Sequence, residues 1–396
     1  MGLIPVAEAH ARLMRLFEPL EAEEVPLERA AGRVLAHDVA AARAQPPFDA
    51  AAMDGYALHS ADALPGARLR LVGVAAAGAR FEGAIGPGEA VRIFTGAPVP
   101  PDADMVVIQE EVDALGDEIL LHAELDRGGN IRPAGNDFAA GARVAAPRRL
   151  RPADLALLAA MNAGRVAVAR RPVVALIPTG DELVMPGEDP GPDQIVCSNG
   201  VGLKALLEAA GAEARLLPIA RDTPESLEAS FALARSADLV VTLGGASVGD
   251  FDLVQKTAVG LGMTLDFYRV AMRPGKPLMA GRLGATPLVG LPGNPVSAMV
   301  TGRLFLVPAV ERMLGLPGDL PAMHPARLAQ PLGPNGPRAH YMRARVTQGE
   351  GGWACAPFAR QDSALLSILG EANALMLRPP RDPARAPGDM MEFLWL

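Results

Sequence analysis

Between residues 173 and 315 the chain alternates short apolar runs with helical segments, and this alternation restricts the fold more than any other feature. The run VVALI at 173–177 ends in Pro-Thr-Gly-Asp-Glu. A helix is predicted over 199–210, stopped by Gly211 in the position where a left-handed residue ends a helix. A strand follows at 214–219, then a helix over 224–234 with Thr223 as N-cap and Pro224 at its first position. Residues 239–243 read as a strand, 252–259 as a helix, 288–291 as a strand and 296 to about 314 as a helix. Repeated strand–helix–strand units predict a mostly parallel sheet with helices on both faces.

In such a sheet, ligands bind beyond the carboxyl ends of the strands. Three glycine-bearing loops fall there: 178–182, 244–250 and 291–295. Arg221 and Asp222 end another strand at the same edge. A turn and a helix cap need fewer glycines than this, so the loops predict backbone N–H groups that approach a ligand. The candidate binding residues are Thr179, Gly180, Asp181, Gly244, Gly245, Ser247, Gly249, Asp250, Pro292, Gly293 and Asn294. Asp181, Glu182, Asp222, Asp250 and Asp252 gather at this edge. Singly each reads as a helix cap as readily as a ligand, and Asp252 stands directly before a helix. Together their like charges call for a cation, and Mg²⁺ bridging carboxylates and phosphate oxygens supplies one. Arg273 and Lys276, in Arg-Pro-Gly-Lys-Pro, read either as solvated loop charges or as oxyanion ligands.

Residues 245–249, Gly-Ala-Ser-Val-Gly, also spell a hydrolase nucleophile elbow. An elbow serine needs the helix to start at once, but Gly249-Asp250-Phe251 intervenes. A triad needs a later histidine, and His324 and His340, the two that follow, lie beyond the sheet region. The loop therefore reads as a cradle for a phosphorylated ligand.

The 396 residues suggest two to four domains at about 150 residues each. Residues 1–171 form an N-terminal region, with helices at 6–18 and 27–34 and an inserted β-rich module at about 50–145. Residues 172–316 form the α/β domain, and 317–396 a small, barrel-like β domain. Half the residues are hydrophobic but only 4% are aromatic, so the cores must be built from Ala, Val and Leu. A net charge of −8 argues against nucleic-acid binding through a basic face. Cys197 and Cys355 suggest no disulfide framework, and the six histidines lack metal-ligand spacing. With no signal peptide and no membrane-length apolar run, a reduced, soluble, cytoplasmic protein is expected.

Residues 244–252, GGASVGDFD, followed by Lys256, resemble the signature loop of the molybdopterin molybdenumtransferase family, which includes the bacterial MoeA-type proteins and the C-terminal part of gephyrin. The resemblance extends through PPFDAAAMDGYA at 46–57, RIFTGAPVP at 92–100, NIRPAGND at 130–137, TGDEL at 179–183, RPGKP at 273–277 and LPGNPVS at 291–297, in the family's order. It implies an α/β multidomain fold around a molybdopterin-binding domain. It implies a reaction in which adenylylated molybdopterin and molybdate give molybdenum cofactor and AMP, with Mg²⁺. It also implies an elongated homodimer whose active site is shared between chains, and an adenylyltransferase and cofactor-maturation proteins as partners. By position, Asp54 and Asp137 would come from the partner chain. Glu182, Asp222 and Asp252 would handle Mg²⁺ and pyrophosphate. Arg273, Lys276, Arg343 and Ser363 would lie toward molybdate. The chain departs from the family's pattern in four places. Arg273 replaces the commoner lysine, Ala246 a valine, and Asn136 an often acidic residue. Cys197 stands where Asp or Ser is frequent, either as a ligand contact or as a small buried side chain.

Overall fold

The computed structural model describes residues 2–126, 128–244, 253–349 and 351–396. The chain divides into two compact units, one of Met1–Glu23 with Ala169–Leu396, the other of Glu24–Val168.

The larger unit begins with helix α1 (Val6–Met14), shorter than expected because the chain turns before Pro19. Its central sheet contains β1 (Val173–Pro178), β2 (Glu213–Leu216), β3 (Leu239–Leu243), β4 (Met263–Arg269), β5 (Pro277–Leu283) and β6 (Thr286–Leu291), in spatial order β2-β1-β3-β6-β5-β4. The first four strands in that order are parallel, as the alternation predicts. They are joined through α2 (Asn199–Ala210), α3 (Pro224–Leu233) and α4 (Leu253–Gly260). All five residues of β3 are buried, because helices cover both its faces.

The caps are those expected. Gly211 closes α2 at φ +109°, and the Thr223 hydroxyl accepts the Ser226 N–H at 3.2 Å. The sheet is not parallel throughout, however. β5 and β6 form an antiparallel hairpin, with Leu283 opposite Thr286 across Gly284-Ala285, and β4 adds antiparallel to β5. Gly284, at φ +62°, provides the tight turn, and so short a connection cannot carry the crossover that a parallel pair needs. After β6 comes α5 (Pro295–Thr301), which runs through a π turn at Gly302–Leu306 into a helix at Val307–Met313. Pro308 lacks the N–H that a regular turn would use there, which accounts for the irregularity.

The C-terminal strands are β7 (His324–Leu328), β8 (Ala339–Gly349), β9 (Gly352–Pro357), β10 (Ala374–Arg378) and β11 (Met390–Trp395). Their order is β8-β9-β7-β11-β10, and β10 pairs back onto β8, closing a five-stranded barrel around Ala344, Met376 and Phe393.

In the smaller unit, a six-stranded sheet includes Gly55–Leu58, Arg68–Ala75, Glu89–Ile93, Met105–Ile108, Val112–Leu115 and Glu118–Leu121. The expected helix at 27–34 is instead a 3₁₀ turn, Leu27–Arg29, followed by an extended Val34–Leu35. Gly32 at φ +71° breaks the helical path between them. Both cysteines are free and buried, and no helix among the described residues is long and apolar enough to cross a membrane.

Candidate active site

The carboxyl ends of β1, β3 and β6 open onto one cavity of about 640 Å³. Eight of the expected residues line it: Thr179, Gly180, Glu182, Asp222, Gly244, Pro292, Gly293 and Asn294. Parallel strands bring these sequence-distant loops together, because each delivers its loop to the same edge. The glycines permit the close approach. A Cβ at Gly244, where φ is +111°, would lie 2.8 Å from the Thr179 carbonyl oxygen. A Cβ at Gly180 would collide with the Glu182 carboxylate.

Asp181 lies beside the cavity rather than on its wall. Its Oδ1 accepts the Asp222 N–H at 3.1 Å, which ties two acidic loops together. Gly245, Ser247, Gly249, Asp250 and Asp252, with Ala246, lie outside the described residues.

Other wall residues were not singled out as ligands from sequence: Leu183, Ile195, Val196, Ser198, Asn199, Pro277, Pro295 and Ala364. Asn199 donates Nδ2–H to the Gly293 carbonyl at 2.7 Å and so joins the start of α2 to the 291–295 loop. The signal available in sequence was a polar residue at the start of a helix, which a capping role explains equally well. Cys197 lines the same wall but is buried, and burial pushes its thiol pKa up while the Gly200 N–H faces the sulfur. It is thus a small buried side chain just before the start of α2.

Two carboxylates, Glu182 and Asp222, share the wall, and both are exposed. Among the described residues no group of three or more His, Cys, Asp or Glu side chains forms a metal cage. Mg²⁺ is commonly held by one or two carboxylates plus substrate phosphate oxygens, with waters completing the shell. This donor set fits that pattern.

The expected molybdate-side residues form a second group. Met272–Arg273 pairs in parallel with Ala339–His340, so Arg273 stands in register with His340 at the edge of the barrel. The Lys276 carbonyl accepts the Val270 N–H at 3.0 Å, and the next residue, Pro277, lines the cavity. Arg343 is 2% exposed. Its guanidinium donates to the Gln361 side-chain oxygen and to the carbonyls of Asp362 (2.8 Å) and Leu365 (3.3 Å). The loop it holds reaches the start of α5: the Ser363 carbonyl takes the Val296 N–H at 3.0 Å, and neighbouring Ala364 joins the cavity wall. Arg343 therefore meets the cavity through this loop.

His340 is buried among Arg273, Arg343, Arg378 and Arg338; desolvation and then these charges lower its pKa to about 4. His324 packs on Phe393 and Trp395. Neither histidine lines the cavity wall described here, so neither is placed to act as a triad base.

In the smaller unit, the two signature segments pair with each other. Gln45 bridges Phe138, and Ala50–Ala51 pairs with Ile131–Arg132. Asp54 is held at one oxygen: Oδ1 accepts both the Thr95 N–H and the Thr95 hydroxyl, each at 2.7 Å. These bonds hold its pKa below the usual aspartate range. Thr95 lies in the RIFTGAPVP segment, where its sequence position alone gives no sign of this role. Asp137 is exposed and donates its N–H to the Gln45 carbonyl at 2.9 Å.

Comparison with known proteins agrees with this architecture. Residues 4–162 match the MoeA N-terminal region (domain I and II), 175–312 the probable molybdopterin binding domain, and 325–396 the MoeA C-terminal region (domain IV). The chain is 37% identical over 306 residues to a molybdopterin molybdenumtransferase of Nostoc sp., covering 75% of this chain and 70% of that one. It is 30% identical over 386 residues to the one from Staphylococcus aureus, covering 95% and 91%. The crystal structure of a molybdopterin biosynthesis MoeA protein from Pyrococcus horikoshii superposes with a TM-score of 0.85 at 31% identity, covering 100% of this chain and 99% of that chain. The sheet edge, the paired signature segments and the closed C-terminal barrel thus belong to one known design, and the chain is a member of the MoeA-type molybdopterin molybdenumtransferase family.

Proposed function

We propose that the protein inserts molybdenum into adenylylated molybdopterin, releasing AMP and leaving molybdenum cofactor. The observation that carries this reading is the single cavity where Glu182 and Asp222 face three glycine-bearing loops. Backbone-lined loops at strand ends suit a phosphorylated pterin. The carboxylates suit the divalent ion that would accompany its pyrophosphate.

In this reading Glu182 and Asp222, with Asp252, hold Mg²⁺. When bound, the ion neutralises charge on the pyrophosphate and polarises the bond to be cleaved. Gly244, Gly293 and Asn294 position the pterin phosphate. Arg273 and Lys276 attract molybdate, and the loop held by Arg343 places Ser363 and Ala364 near the oxyanion. The dithiolene sulfurs of the pterin take the metal in exchange for oxygens of the oxyanion that leave as water, and water is the nucleophile that cleaves the pyrophosphate, so no protein nucleophile is required. The working form is a homodimer in which Asp54 and Asp137 of one chain complete the site of the other. Supply comes from an adenylyltransferase and delivery goes to cofactor-maturation proteins. The compartment is the cytoplasm.

AMP release from adenylylated molybdopterin, measured with Mg²⁺ present and with or without molybdate, tests the proposal. Molybdate-stimulated AMP release with metal on the pterin product is expected, and Glu182→Gln should reduce it about 100-fold. Tight pterin binding without AMP release under any oxyanion would leave a carrier or scaffold instead.

A further inference from the structure

The segment that carries Glu182 is shaped by a residue that does not line the cavity. The carbonyls of residues 180–183 each have a donor. The Arg221 guanidinium Nη1 donates to Gly180 O (3.3 Å), Asp181 O (3.1 Å) and Leu183 O (3.1 Å). The Ile195 N–H donates to the remaining one, Glu182 O, at 2.7 Å. Three oxygens converging on one nitrogen match a cation better than a neutral donor, because a guanidinium nitrogen is charged and carries two N–H groups.

Arg221 is itself anchored. Its N–H donates to the Ser226 hydroxyl at 2.9 Å, and its carbonyl accepts the Thr223 N–H at 2.7 Å. Both partners belong to the capped start of α3. The next residue, Asp222, lines the cavity, and its N–H returns to Asp181 Oδ1. Arg221 thus joins the rigid end of a helix to the loop holding the other wall carboxylate, and it places a positive charge beside Asp181, Glu182 and Asp222.

We infer that Arg221 is a positioning residue for the reaction: it sets the spacing of the Glu182 and Asp222 carboxylates by holding the carbonyls of the 180–183 segment. This rests on the reading that those two carboxylates serve the divalent ion. Loss of such a supporting contact costs about 10- to 100-fold in metal affinity or activity. Pterin binding made through the other loops is left largely intact.

The test compares Arg221→Met, which keeps the stem without donors, with Arg221→Lys, which keeps a shorter cation with three N–H groups. Three quantities are measured on the full chain: the Mg²⁺ concentration that half-saturates AMP release, the affinity for adenylylated molybdopterin in EDTA, and hydrogen exchange across residues 180–197. For Arg221→Met we expect the Mg²⁺ requirement to rise at least about tenfold and exchange at 180–197 to increase, with pterin affinity changed less than about threefold. Arg221→Lys should recover most of both effects. An unchanged Mg²⁺ requirement in Arg221→Met would overturn the inference. So would a Lys variant as impaired as the Met variant, or a loss of pterin affinity that matches the loss of activity. Glu182→Gln and Asp222→Asn serve as controls. If both keep the wild-type Mg²⁺ profile, the reading of the carboxylates fails and the inference falls with it. If both shift while Arg221→Met does not, the Arg221 inference alone is wrong.

Discussion

Two arginines in the C-terminal barrel, Arg378 on β10 and Arg343 on β8, are equally hidden, at 3% and 2% exposure, yet their surroundings differ. Arg378 forms an ion pair with the buried Asp382, which also binds Arg385 at 2.6 Å, and it donates to the carbonyls of Gly333 and Pro383. Its charge is neutralised on the spot. Among the described residues, the oxygens that Arg343 donates to are all neutral: Gln361 Oε1 and the carbonyls of the 360–365 loop. Desolvation, opposed by Asp362 and reinforced by Arg273, lowers its pKa, although an arginine stays protonated in any accessible range. The first arrangement closes a structural network. The second leaves positive charge inside the protein next to a loop that borders the cavity, which suits an oxyanion substrate.

The largest expected effect is on the neutralised side. Asp382→Ala leaves Arg378 buried without its carboxylate and should destabilise the fold by about 3–5 kcal/mol, read from denaturant unfolding. A loss below about 1 kcal/mol would show that the two arginines are not held differently after all.

The next effect lies between the two arginines, at His340. Its folded pKa is below the unfolded value, so the unfolded chain takes up a proton first as the pH falls. Stability from this residue is complete above about pH 6.5 and is lost progressively down to about pH 4, by up to about 3 kcal/mol. His340→Asn should flatten that part of the stability–pH curve, and an unaltered curve in the variant would assign the acid limb to other groups.

On the unneutralised side, Arg343→Gln keeps a hydrogen-bonding side chain but cannot reach all the loop oxygens. We expect a loss of about 2 kcal/mol in stability, with KM rising more for molybdate than for the pterin substrate. Equal changes in both KM values would remove the distinction from Arg378. The smallest effect is electrostatic. Arg273→Gln removes one of the charges that lower the His340 pKa, so that pKa should rise by less than about 1 unit in an NMR titration. No movement would mean that Arg273 adds little to the field around β8.

Much of the site was legible in sequence because it is built on local features. Gly180 and Gly244 mark backbone positions that other residues fill poorly, and Pro224 and Gly211 mark helix ends. A parallel sheet then carries the strand-end loops to one edge. The hairpin of β5 and β6 is not legible from sequence, because Leu288–Leu291 reads as a strand by itself and nothing local marks Gly284 as the turn that joins it to Pro277–Leu283. In sequence Arg221 stands out only as the neighbour of Asp222, since no pattern along the chain says that a side chain will reach three carbonyls about 40 residues earlier. Asn199 read as a helix start for the same reason.

The sequence by itself determined the order of the parallel strands and helices of the α/β domain, its caps and the kinds of loop at the strand ends, because those depend on periodicity and on backbone permissions carried by single residues. Tertiary structure alone decided which polar side chains meet. Arg343 and Arg378 are the same residue type on paired strands, and nothing local separates them. Whether a carboxylate or a set of carbonyls stands opposite depends on where Asp382 and the 360–365 loop are folded back, and that is settled by long-range packing.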